Sequence, residues 1–248
     1  MPNLKHQIKP WLPPALIQLY RQRRHDPRAN PQFALPARAL DALFPGVEAA
    51  TVAIPASQVA RTDEWAVPAA ELLAMAAICA ALRPRRIFEI GTYTGATTLI
   101  MALNTPPETE IFTLDLDPAA RPTHQHGTGV GSFPEFTVGA AYLSHPAATK
   151  IRQLYGDTRG FDYAPYAGTI DLVFVDADHT YDFVKADTAR ALIMLRAGGT
   201  IVWDDYIWNE RHPECAGVTR CLNELAATRS VVRLAGTRFG VYRDAARE

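Results

Sequence analysis

The sequence predicts a doubly wound α/β sheet, mostly parallel, with an antiparallel strand added near its C-terminal end. Three observations predict it. From Pro68 onward, short apolar runs alternate with amphipathic stretches of helical period. A glycine-rich turn follows the first apolar run, at Glu89–Thr97. The last two apolar runs are separated by Gly236 and Thr237, a turn that favours an antiparallel hairpin. Strands alternating with helices require a parallel sheet joined by right-handed crossovers.

The elements follow in order. Pro68 suits a helix start, and Leu72, Leu73, Ala76, Cys79 and Leu82 form an apolar stripe that Arg83-Pro84 ends. Arg86–Ile90 reads as a strand, Thr97–Leu103 as a helix halted by Pro106-Pro107, and Ile111–Leu116 as the second strand. Residues 118–150 lose periodicity and carry Gly127, Gly129, Gly131, His124, His126 and His145, which suggests an insertion or lid. Strands Ile151–Tyr155 and Ile170–Val175 come next, then a helix from Thr180 to Leu195. Asp182 sits at its positive end, and Gly198-Gly199 is read as its stop. Strand Thr200–Trp203, a helix at Val218–Ala227 and strands Val231–Leu234 and Phe239–Arg243 complete the pattern.

Residues 1–60 differ from the rest, and residues 61–248 form the predicted domain. Prolines recur at 2, 10, 13, 14, 27, 31, 36, 45 and 55, and Leu16, Leu19 and Tyr20 share a helical face between Ala15 and Arg24. This N-terminal arm reads as a strap on the main domain. The alternative is an arm that docks on a membrane surface, a partner or a second copy of the chain.

Composition narrows the function. The chain has 248 residues, 48% apolar and 21% charged, enough for one α/β domain with an appendage. A formal charge of −1 gives no field for nucleic acid or anionic lipid. Cys79, Cys215 and Cys221 lack the spacing of a disulfide framework or zinc cluster, and His212 with Cys215 has no partner pair. No run has transmembrane length and no signal-peptide pattern opens the chain, so the expected address is the cytoplasm.

The chemistry centres on three strand ends. Gly91 and Gly95 let the backbone approach a ligand, and Gly95 leads into a helix whose N-terminus favours a carboxylate. The GxxxG spacing differs from the GxGxxG of dinucleotide binders. Asp115, 26 residues after Glu89, can accept both hydroxyl protons of a ribose, with Asp117 on the same face as its rival. Tyr155-Gly156-Asp157-Thr158 closes the next strand, where a base would lie.

Farther along, Asp176 ends one strand and Asp204-Asp205 end another, about 4.8 Å away if the two are neighbours. Three carboxylates at adjoining strand ends repel one another unless a cation sits among them, and oxygen ligands suit Mg²⁺. The plainer reading makes one or two of these aspartates caps or solvated strand ends. His179 can accept a hydroxyl proton near neutral pH, or simply cap its helix. Asp178 reads as a helix N-terminal carboxylate. Tyr93, Trp203 and Trp208 are either pocket walls or core aromatics.

Glu89–Thr97 with Asp115 resembles motifs I and II of class I methyltransferases that use S-adenosylmethionine (SAM). Val175–Tyr181 and Trp203–Tyr206 resemble the metal-dependent O-methyltransferases, and within them the bacterial branch of macrolide-sugar and polysaccharide-cluster enzymes. The resemblance covers about Val67 to Arg243. It implies a Rossmann-like fold and SAM held by Glu89, Gly91, Thr92, Tyr93, Gly95, Thr97, Asp115, Asp157, Thr158 and Asp176, with Thr97 near the carboxylate. It implies Mg²⁺ on Asp176, Asp204 and Asp205 with His179 as general base, acting on a hydroxyl of a small molecule or sugar. Catechol-type members carry lysine at the place of His179 and Asp-Asn at the place of Asp204-Asp205; the sugar branch has the histidine. Two other functions compete: a catalytically idle nucleoside-binding module, for which Asp176, His179, Asp204 and Asp205 are superfluous, and an NAD-dependent oxidoreductase, which the GxxxG spacing disfavours. Nucleic acid is not an expected substrate, and a homo-oligomer formed through the arm is the expected assembly.

Overall fold

The computed structural model describes residues 33–60, 67–120, 136–207 and 216–244. The expected helix at Ala15–Arg24 and residues His124, His126, Gly127, Gly129, Gly131, Trp208, His212 and Cys215 lie outside the described residues.

Among the described residues eight strands form one sheet: β1 (Ala37–Arg38), β2 (Arg86–Ile90), β3 (Glu110–Asp115), β4 (Ile151–Tyr155), β5 (Ile170–Val175), β6 (Leu195–Trp203), β7 (Val231–Leu234) and β8 (Gly240–Arg243). Their spatial order is β1-β7-β8-β6-β5-β2-β3-β4. Only β8 runs antiparallel to its neighbours, pairing Val202 with Val241 across β6 and Val232 with the same Val241 across β7. The predicted hairpin is therefore present, turned at Gly236, whose φ is +82°.

Helices lie on both faces: α1 (Leu40–Leu43), α2 (Ala56–Val59), α3 (Ala69–Leu82), α4 (Ala96–Leu103), α5 (Tyr181–Met194) and α6 (Ala216–Leu225). Strand alternation divides the core in two. Phe88, Ile90, Phe112, Leu114, Val173, Val175, Ile201 and Trp203 face α5 and α6. Ile87, Ile111, Leu172, Phe174 and Val202 face α3 and α4. A sheet covered on both faces explains why its central strands read as continuous apolar runs. Trp203 is a core aromatic, wholly buried, with its indole N–H donating to Thr188 Oγ1 at 3.0 Å.

Helix α5 ends four residues before the expected glycine stop. Its carbonyls at Ile193 and Met194 accept the N–H groups of Gly168 and Thr169, and Leu195 already pairs with Ile170 as sheet. Gly198, at φ +75°, lies within β6.

Residues 33–60 pack on the sheet. Phe33 and Leu35 enter one half of the core and Phe44 the other, and β1 adds to β7 at the sheet edge.

Lys150 shows how the end of the irregular segment is tied down. Its ammonium donates to the carbonyls of Ala102, Thr105 and Pro106 and to Thr105 Oγ1, capping α4 at its negative end. Replacing Lys150 with Met removes a charged donor from four acceptors at once. The expected loss is about 2 kcal/mol in a urea unfolding curve; a change below about 0.5 kcal/mol would show that water replaces the ammonium without loss.

Candidate active site

The site lies at the carboxyl ends of β2, β3, β5 and β6, where an open α/β sheet places its ligands. The turn after β2 is held from both sides. Gly91 N–H donates to Leu114 O at 2.9 Å, and Asp176 N–H donates to Ile90 O at 2.8 Å. Asp115 Oδ2 accepts the N–H groups of Thr92 at 3.2 Å and Tyr93 at 2.8 Å, so the carboxylate at the end of β3 also fixes the turn.

Both glycines have close protein neighbours. A Cβ on Gly91 would lie 2.6 Å from the Asp176 carbonyl carbon and 2.9 Å from Ala177 Cα, and its φ is +97°. A Cβ on Gly95 would meet the Tyr142 ring at 2.5 and 2.6 Å. Tyr142 belongs to the segment expected as a lid. Gly139 N–H and Ala141 N–H donate to Tyr93 O and Thr94 O, and the Phe136 ring meets the Tyr93 ring edge-on, 4.4 Å between centroids.

Glu89 lies beneath the turn, 1% exposed. Its Oε2 accepts the hydroxyls of Thr98 and Thr113; Thr113 Oγ1 is 2.6 Å from Thr92 Oγ1, to which Gln153 Nε2 donates, and Tyr142 OH donates to Gln153 Oε1. The carboxyl expected to touch the cofactor is thus the end of a buried chain that supports the turn from below. Burial pushes it up to about 8, against the pull of the two threonine hydroxyls. Thr97, in the first turn of α4, is also buried.

On the β4 side, Asp157 is exposed and pairs with Arg159, 2.8 Å between Oδ2 and Nη2; the Arg159 hydrogen bonds hold its carboxyl below the ordinary range. The Thr158 carbonyl accepts Tyr163 OH at 3.0 Å. Asp117 accepts Ala119 N–H at 2.8 Å and so caps its own turn, which separates it from Asp115.

The acidic cluster sorts itself by partner. Asp176, His179 and Asp205 offer ligand atoms within 4.8 Å of one another. His179 Nε2 is 2.9 Å from Asp205 Oδ2 and 3.8 Å from Asp176 Oδ1. Asp178 accepts Thr180 N–H at 2.7 Å, the helix-start role expected of it.

Asp204 stands outside that group. Its Oδ2 accepts Arg238 Nη2 at 2.7 Å and its Oδ1 accepts Asp205 N–H at 2.7 Å. Burial and the adjacent Asp205 raise its pKa well above the usual carboxylate value, and Arg238 opposes them. Arg238 also lies 3.1 Å from Asp205 Oδ1, and its backbone N–H donates to Glu71 Oε1 at 3.0 Å. Burial alone would lower the pKa of this guanidinium, but Asp204, Asp205, Asp176 and Glu71 together raise it, so Arg238 is a permanent cation.

Arg238 and Glu71 were not legible in the sequence, because they come from the β7–β8 turn and from α3. One signal pointed to them: carboxylates this crowded need a positive partner, and a side chain can be that partner.

The chain is similar to known proteins. The family described as "Methyltransferase domain" matches residues 88–206. A catechol O-methyltransferase of Mycobacterium tuberculosis is 31% identical over 173 residues, 68% of this chain and 70% of that protein. A caffeoyl-CoA O-methyltransferase of Stellaria longipes is 28% identical over 129 residues, 51% of this chain and 48% of its own length. The chain therefore spans about half the length of such plant relatives. The crystal structure of the O-methyltransferase TomG from Streptomyces achromogenes, described as a complex with SAM, superposes with a TM-score of 0.52 at 20% identity, covering 77% of this chain and 94% of that one. That likeness shows the fold to be the Rossmann-like fold of class I methyltransferases. Neither the dehydrogenase reading nor the idle-module reading finds support among these relatives. With a relative this similar over most of both chains, and a glycine turn set directly against an acidic strand end, the chain belongs to the class I O-methyltransferases.

Proposed function

We propose that this protein transfers the methyl group of SAM to a hydroxyl of a small molecule or sugar, with a divalent cation, Mg²⁺ by its donor set, at Asp176 and Asp205. One observation carries the reading: Gly91 lies against the Asp176 backbone, so the turn that would hold the methyl donor shares a wall with the acidic cluster. The donor set suits a cation. Asp176 and Asp205 offer carboxylate oxygens within 4.8 Å of one another and of the His179 imidazole, and among the described residues Arg238 is the guanidinium paired with Asp204 and Asp205.

Cofactor binding falls to Gly91, Thr92, Tyr93, Gly95, Asp115, Asp157 and Thr158 around the turn, with Thr97 and Asp176 at its ends and Glu89 beneath. Asp115 fixes the Thr92–Tyr93 backbone, and the ribose hydroxyls are assigned to its carboxylate. Bound SAM supplies an electrophilic methyl group, and a bound cation lowers the pKa of a coordinated hydroxyl. The acceptor hydroxyl gives its proton to His179 Nε2, where Asp205 at 2.9 Å and Asp176 at 3.8 Å stabilise the imidazolium. The acceptor oxygen then bonds to the methyl carbon, and the electrons of the broken C–S bond stay on sulfur.

No helix among the described residues is long and apolar enough to cross a membrane, and we place the enzyme in the cytoplasm, in a bacterial pathway that modifies small molecules rather than nucleic acid. The test uses labelled SAM and a panel of phenols and sugar hydroxyls. Label is expected in at least one acceptor, and Asp176→Ala or EDTA should lower transfer at least 100-fold while S-adenosylhomocysteine (SAH) still binds in calorimetry. Full transfer in EDTA would remove the cation from the mechanism. Loss of SAH binding by the wild-type chain would remove the cofactor.

A further inference from the structure

We propose that residues 136–142 are a fixed part of the methyl-donor site, a clasp that holds the glycine turn in its binding conformation, with Tyr142 as its positioning residue. This rests on the reading that SAM binds at that turn. It gives the segment expected as an insertion or lid a share in cofactor affinity.

The turn needs holding. Gly91, Tyr93 and Gly95 stand at φ +97°, +50° and +76°, all left-handed. Glycine adopts that backbone freely, but Tyr93 is strained there, and such strain persists only where the surroundings over-determine it. Asp115 supplies one side, by accepting the N–H groups of Thr92 and Tyr93. The clasp supplies the other. Gly139 N–H donates to Tyr93 O at 3.0 Å and Ala141 N–H to Thr94 O at 2.8 Å, and the Phe136 ring meets the Tyr93 ring edge-on.

Tyr142 locks the clasp in two ways. Its ring is buried in the space that a Cβ on Gly95 or on Gly139 would need, so packing joins turn to segment. Its hydroxyl joins them by hydrogen bonds. Tyr142 OH donates to Gln153 Oε1, and Gln153 Nε2 donates to Thr92 Oγ1 at 3.2 Å. Thr92 Oγ1 lies 2.6 Å from Thr113 Oγ1, which donates to Glu89 Oε2. Thr113 has one hydroxyl hydrogen and gives it to Glu89, so Thr92 donates to Thr113. Every donor in the chain therefore points from Tyr142 toward Glu89, and each bond polarises the next. A segment that merely covered the site would need none of these bonds to the turn itself. A turn held less fully binds more weakly, in proportion to the fraction of molecules in the binding conformation.

The experiment measures SAH binding by calorimetry on the full chain, with a urea unfolding curve for each variant. Tyr142→Phe keeps the ring and removes only the hydroxyl; it is expected to stay folded and to weaken SAH binding about tenfold. Thr92→Val should weaken it at least about fivefold. Both break one chain, so the double variant should bind no more than about twofold more weakly than the weaker single variant. Leu143→Ala, an exposed change beside the clasp, should stay within about twofold of wild type.

A folded Tyr142→Phe protein that binds SAH as wild type does would overturn the proposal, leaving Tyr142 a merely structural role. So would a double variant whose loss is the product of the two single losses, or a Leu143→Ala loss equal to that of Tyr142→Phe. If Tyr142→Phe does not fold, Gln153→Met, which leaves the ring in place, decides by the same thresholds. A wild-type chain that binds no SAH is a different result: it removes the reading of the turn as the methyl-donor site.

Discussion

Gly91→Ala is expected to destabilise the protein by on the order of 4 kcal/mol and to abolish SAH binding. Two independent penalties add. The φ of +97° lies where an L side chain is strained, at about 1–3 kcal/mol. The added methyl also meets backbone, 2.6 Å from the Asp176 carbonyl carbon and 2.9 Å from Ala177 Cα, and backbone in a packed sheet cannot swing aside. Relief requires the ends of β2 and β5 to separate, which breaks the hydrogen bond from Asp176 N–H to Ile90 O and displaces Asp176 from His179. Gly95→Ala is the internal comparison. Its φ of +76° is the milder left-handed conformation, and its methyl would meet the Tyr142 ring, a side chain that can tilt, as well as Gly139 Cα at 2.9 Å, so a smaller loss of about 2 kcal/mol is expected. Urea unfolding and SAH calorimetry on both variants check the order. Equal effects, or a Gly91→Ala protein within 1 kcal/mol of wild type, would mean that the two strand ends are not held rigidly together.

The sequence carried the sheet far better than it carried the arm. β2, β4, β5 and β7 have the bounds expected of them; in β2 and β5 this is because strands buried on both faces are apolar runs with abrupt polar ends. Helix α5 matches the expected Thr180–Leu195 to within one residue at each end, but Gly198-Gly199 lies inside β6 rather than at the helix stop, since a glycine pair carries the same signal in a strand. Residues 33–60 offered no period to read: their prolines interrupt it, and a two-residue strand such as β1 has none. Only three dimensions place Phe33 and Leu35 in the core and Leu35 N–H on Tyr206 OH at 3.1 Å, next to the acidic cluster.

The site divides the same way. Asp115, Asp176, His179 and Asp205 were legible because function at strand ends follows from topology. Repulsion among the aspartates was legible too, and it left two readings: an external ion for all three, or one or two of them as caps or solvated strand ends. The structure interposes Arg238, more than thirty residues farther along the chain, and no spacing rule connects a hairpin turn to a strand two places away in sequence order. Glu89 has partners that spacing does not reveal. A carboxyl at the edge of a glycine turn suggests ligand contact, whereas alternation along β2 sends this side chain inward to Thr98 and Thr113.

That inward position makes Glu89 the largest pH-dependent element expected in the fold. In the folded chain its carboxyl titrates near 8, against an ordinary value of 4.5, because burial outweighs the two threonine hydroxyls. Between those values the unfolded chain has released the proton and the folded chain keeps it. Stability from this group is therefore complete below about pH 4.5, falls as pH rises by up to about 1.4 kcal/mol per unit, and levels off above pH 8. Glu89→Gln fixes the neutral form in nearly the same shape, and its amide oxygen can still accept from Thr98 and Thr113. The variant should match wild type near pH 5 and exceed it by a few kcal/mol at pH 8.5, so that the difference between the two unfolding curves, rather than either curve alone, reports Glu89. Parallel curves would mean that the carboxyl is ionised at neutral pH despite its burial. SAH calorimetry on the same variant separates the two roles open to this residue. A carboxyl that only supports the turn leaves SAH affinity within about threefold when replaced by its amide, whereas one that binds the cofactor directly loses at least tenfold, as truncation of a charged hydrogen bond does.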